Sequence, residues 1–65
     1  MTTLSERIYD ERHDFDPEHV LHVETTDTND LRLIVIDGQE VATVQLSDTG
    51  ARALRLAITR WEKSR

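Results

Sequence analysis

The chain has 65 residues, a net charge of −5 and no cysteine. Disulfides, cysteine zinc sites and cysteine nucleophiles are therefore excluded, and no apolar run approaches the ~18 residues of a membrane span. A chain this short is one domain, 1–65, and buries only ~60% of its unfolded surface, so a partner subunit is expected to complete its core.

Residues 1–18 carry no clear pattern. Leu4, Ile8, Arg12 and Phe15 allow a short helical stripe, and RIYDERHDF allows an extended arm. Pro17 ends whatever precedes it. The expectation is an N-terminal arm or short helix.

Residues 19–47 predict a three-stranded antiparallel meander. In the first strand His19, Leu21 and Val23 share one parity. A helix starting at Asp16-Pro17 is the competing reading, but Val20, Val23, Thr25 and Thr26 are β-branched and favour the strand. TTDTND then supplies a polar turn. LRLIVIDGQEVATVQL forms a hairpin. A four-residue loop, Asp37 to Glu40, pairs Ile36 with Val41, Val35 with Ala42, Leu33 with Val44 and Leu31 with Leu46. A two-residue Asp37-Gly38 turn would set Val35 against Glu40, so the longer loop is preferred.

The last element, 48–63, is an amphipathic helix. Ser47 and Asp48 are candidate N-caps, and Ala51, Leu54, Ala57, Ile58 and Trp61 line one face. Arg60, Lys63 and Arg65 suit the negative end of the helix dipole. The fold class is α+β, with the helix packed on the sheet face that carries Leu31, Leu33, Val35, Ala42, Val44 and Leu46. The opposite face keeps Ile34, Ile36 and Val41, which a two-fold partner or the N-terminal arm is expected to cover. Leu56 lies off the apolar stripe and joins that candidate interface.

Three constellations bear on function. His13, Asp14, Asp16, Glu18, His19 and His22 are metal-ligating residue types, but a strand puts His19 and His22 on opposite faces. His13, Asp16, His19 and His22 are the metal candidates, and no HExxH spacing supports them. Asp10, Glu11, Asp14, Asp16, Glu18, Asp27 and Asp30 form an acidic surface able to dock on a basic groove. Arg52, Arg55, Arg60 and Lys63 form a basic helix face that invites nucleic acid. The division is sharp: residues 1–48 carry 12 acids and 3 arginines, a net −9, and residues 49–65 carry a net +4.

No nucleophile context surrounds Ser5, Ser47 or Ser64, there is no glycine-rich phosphate loop, and a chain this small leaves little room for a pocket of ~300 Å³. No catalytic residue and no cofactor is expected. The reading is a cytoplasmic, non-enzymatic acidic regulator, homodimeric, acting on another protein as an inhibitor or accessory factor. Phage inhibitors use this device, and seven arginines to one lysine suit a GC-rich genome. A nucleic-acid regulator and a small metal-binding protein are the alternatives.

Overall fold

The computed structural model describes residues 3–65; Met1 and Thr2, part of the expected 1–18 segment, lie outside the described residues. The fold is α+β. Its sheet has four antiparallel strands rather than three: β1 (Ser5–Tyr9), β2 (His19–Thr25), β3 (Leu31–Asp37) and β4 (Glu40–Leu46), in the order β1-β2-β3-β4. One helix, α1 (Asp48–Lys63), follows β4.

The N-terminal segment is thus neither a loose arm nor a helix. Ser5 pairs with Glu24 and Tyr9 with Val20, so β1 adds an edge to β2. Both edges of β2 are thereby bonded, which a helix over residues 18–24 could not provide. A 3-10 turn, Glu11–His13, then reverses the chain, capped by Asp10, whose Oδ1 accepts from the Arg12 N–H at 3.0 Å. Asp14 and Phe15 follow at φ 54° and 59°, a left-handed pair that bulky side chains rarely adopt. Pro17 opens β2 rather than a helix. Asp16 C=O accepts from His19 N–H at 2.9 Å across a turn with proline at its second position.

The β2–β3 connection closes on Thr26 and Asp30, with Asn29 in the left-handed conformation that asparagine tolerates. The β3–β4 register pairs Ile36 with Val41, Val35 with Ala42, Leu33 with Val44 and Leu31 with Leu46. Asp37 also pairs with Glu40, so the connection is the two residues Gly38-Gln39 rather than four. Gly38 has φ +65° at the first turn position, the type II′ pattern whose twist matches the strands.

Alternation along paired strands gives two faces. The aliphatic face carries Ile8, Leu21, Val23, Leu31, Leu33, Val35, Val44 and Leu46. The mixed face carries Arg7, Tyr9, Val20, His22, Glu24, Arg32, Ile34, Ile36 and Val41. Val20 alone among the described residues is a buried hydrophobic, at 7% exposure.

The helix does not lie across the aliphatic face. Its principal contact is with β4, and Ile58 and Trp61 remain 49% and 58% exposed. The physical reason is the junction. β4 ends at Leu46 and α1 begins at Asp48, which leaves Ser47 alone to reverse the chain. Helix–strand connections in compact units take two to six residues. Gly50 fits this close root, since a Cβ there would stand 3.1 Å from Leu46 Cδ2. Ser47 is the N-cap residue, yet its side chain makes no capping bond.

The consequence is an open molecule. Its radius of gyration is 13.1 Å, against about 11 Å for a compact chain of this length. Its accessible surface is 5613 Å², against roughly 4,200 Å² for a folded monomer of this mass.

Candidate functional site

The sheet has two ends. The helix end holds the β2–β3 turn and the root of α1. The opposite end holds the Glu11–His13 turn, the approach to β2 and the Gly38-Gln39 turn. Six residue steps along β2 separate them, about 20 Å. The acidic residues divide between these ends. Glu11, Asp14, Asp16 and Glu18 lie with Asp37 and Glu40 at the far end, and Asp27 and Asp30 lie at the helix end. The carboxylates are two groups rather than one surface.

Their local engagements differ. Asp10 is tied to Arg12 through Nη2 at 2.8 Å and Nε at 3.1 Å. These bonds hold its carboxyl well below the usual carboxylate range and raise the Arg12 guanidinium in turn. Asp16 Oδ1 accepts from the Glu18 N–H at 2.9 Å, which fixes the turn around Pro17. Asp30 Oδ2 accepts from Gln45 Nε2 at 3.0 Å and so braces β4 against the β2–β3 turn.

The histidines separate as the strand geometry requires. His19 is on the aliphatic face and stacks on His13, with centroids 3.8 Å apart and planes at 9°. Its Nε2 lies 3.6 Å from Asp37 Oδ1, and His13 Nε2 lies 3.9 Å from Asp10 Oδ2. His22 is on the mixed face, 3.4 Å from Glu24. The metal candidates His13, Asp16, His19 and His22 are therefore not brought to one point. Among the described residues no group of three or more His, Asp or Glu could hold a metal ion.

The mixed face does contain a serine, a histidine and a glutamate in contact. Ser5 Oγ and Glu24 Oε2 both stand 3.4 Å from His22 Nε2. A nucleophilic relay needs the acid on one ring nitrogen and the hydroxyl on the other. Here both meet the same nitrogen, and Glu24 is engaged by Arg32 at 2.7 Å across the β2–β3 pair. The contact is an electrostatic clasp between three strands.

Among the described residues the surface carries concavities of ligand size, although the chain length argues against any. One, of about 380 Å³, opens at the far end and is lined by Ile8, Leu21 and Val35 beside Arg12, His19 and Asp37. The other, of about 320 Å³, lies on the mixed face between Tyr9, Pro17, Val20, Ile34 and Ile36, rimmed by Arg7 and His22. A sheet with uncovered faces makes such hollows without an enclosed core. Ile34 and Ile36 are half-buried beside Tyr9 and Pro17, whereas Val41 is 64% exposed.

Sequence reasoning gave no interaction role to Arg12 or Asp37. The Asp10-x-Arg12 spacing becomes a contact only once the 3-10 turn forms, and Asp37 read as a turn residue. On α1, Arg52, Lys63 and Leu56 share the face opposite Leu54 and Trp61, with Arg55 and Arg60 on its two flanks. Among the described residues none of these four cations makes an ion pair. Arg65 instead places its guanidinium 4.8 Å from the Trp61 ring centroid. No protein-family model, no curated protein and no solved structure matches the chain.

Proposed function

We propose that this chain is a non-enzymatic acidic interaction protein that regulates another protein by binding it, as an inhibitor or accessory factor. One observation carries the reading: large apolar side chains stand open on both sheet faces and on the helix, among them Val35, Val41, Val44, Ile58 and Trp61. Large apolar side chains left open in this way are stabilised by contact with another macromolecule. The carboxylates at the far end, with Asp14, Asp16 and Glu18 in one turn, give such a surface an orientation toward a basic partner. The cysteine-free chain needs no oxidising compartment, and the reading places its action in the cytoplasm.

The test is affinity capture from host lysate followed by mass spectrometry, with and without the triple change Asp14→Lys, Asp16→Lys and Glu18→Lys. One specific protein is expected, released as salt rises and lost with the triple change. Capture of nothing specific, or capture unmoved by the charge reversal and by salt, overturns the reading.

A second reading is nucleic-acid binding by α1, favoured by the free cations Arg52, Arg55, Arg60 and Lys63. It predicts retention on nucleic acid at low salt that disappears on Arg52→Glu, Arg55→Glu and Lys63→Glu. Unchanged retention removes it.

A further inference from the structure

Two apolar surfaces of this chain stand largely open within one copy. One is the stripe Leu54, Ile58 and Trp61 on α1; the other is the aliphatic sheet face around Leu33, Val35 and Val44. Ser47 alone joins the two elements, too short a link to lay α1 back over the sheet it leaves. β4 is an edge strand, so among the described residues no strand lies beyond it at the root of α1.

We propose that two copies form a two-fold dimer by exchanging their helices, each α1 lying on the aliphatic face of the other copy's sheet. Area favours a second copy as the occupant. Each chain exposes about 1,400 Å² more than a folded monomer of its mass. Removing that excess from both copies buries an area in the range of obligate homodimers, above roughly 2,000 Å² in total. A two-fold axis makes both contacts at once, since helix on sheet and sheet on helix are the same interface.

The proposal goes beyond the function above, and its test needs no target protein. A chain that captures a target and stays monomeric overturns the exchange and spares the function; a dimer that captures nothing does the reverse.

The experiment is sedimentation equilibrium of the full chain together with chemical cross-linking. The natural chain has no cysteine, so Val35→Cys and Ile58→Cys can be placed in separate preparations, mixed, equilibrated and treated with a bismaleimide. The expected results are a dimer with a dissociation constant on the order of micromolar or tighter, and a linked product containing one chain of each kind. Ile58→Glu and Trp61→Glu are expected to weaken the dimer at least a hundredfold, with helix content by circular dichroism retained. Three results overturn the proposal. One is a monomer at high concentration. Another is a link that forms only within a single chain carrying both cysteines. The third is a dimer indifferent to Ile58→Glu but dissociated by Val41→Glu, which would place the contact on the mixed face. If the glutamate variants fail to fold, sedimentation and the mixed-chain link still decide.

Discussion

Asp10 holds three donors of Arg12 at once: the backbone N–H and the guanidinium Nε on Oδ1, and Nη2 on Oδ2. All three bonds favour the ionised carboxylate, led by the side-chain bonds, so its folded pKa lies well below the value of about 3.9 for a free aspartate. A group lowered on folding adds stability above its unfolded pKa and loses it as pH falls toward its folded one. Asp10→Asn keeps a capping oxygen but removes the charge. The variant is therefore expected to be less stable than the natural chain at pH 7, and the gap is expected to shrink as pH falls below about 4. Urea midpoints of both proteins at pH 7 and pH 3 check this; a gap that widens at pH 3 contradicts the assignment. Nothing in the sequence marked the pair, because the 3-10 turn that closes it was not expected.

The hairpin shows what a sequence does specify at the scale of an element. Pairing like with like across β3 and β4 selects one register, and the structure adopts it. The turn was less legible. Keeping Val35 away from Glu40 argues for a loop of four residues; the structure keeps that register but lets Asp37 and Glu40 pair at a solvated strand end, where their repulsion costs little. The strand character of β2 came from its β-branched residues. β1 gave no such signal: SERIY has a single aliphatic residue and owes its conformation to the open edge of β2. For α1 the apolar stripe showed that the helix needs a surface, but not which one, and the one-residue junction overruled the packing expected of it. Gly38 provides the test at this scale. Nothing stands within 4 Å of a Cβ there, so Gly38→Ala isolates the cost of the left-handed backbone, about 1–2 kcal/mol. Gly38→Asn is expected to cost less, since asparagine tolerates that region. Denaturation midpoints of the two variants check the order, and equal midpoints would mean that the turn relaxes out of the left-handed conformation.

For the whole molecule the decisive quantity is surface left open. A single chain with Val20 as its buried hydrophobic has too little core to hold a sheet and a 16-residue helix firmly. On the proposed helix exchange its stability belongs to the dimer, and the urea midpoint is expected to rise with chain concentration. Trp61, the only tryptophan, reports the same event, its emission moving to shorter wavelength as the chains associate. A midpoint and an emission maximum that stay constant over a hundredfold range of concentration would show a self-sufficient monomer. The unbroken meander order has a kinetic corollary. Every strand bonds only to its neighbours in sequence, so each hairpin can close as the chain leaves the ribosome, without waiting for a distant segment. Hairpins close in microseconds, whereas a second copy must be found by diffusion. The strand pairings are thus local to one chain, and on the proposed helix exchange the search for a second copy is the slow step that sets when the protein is finished.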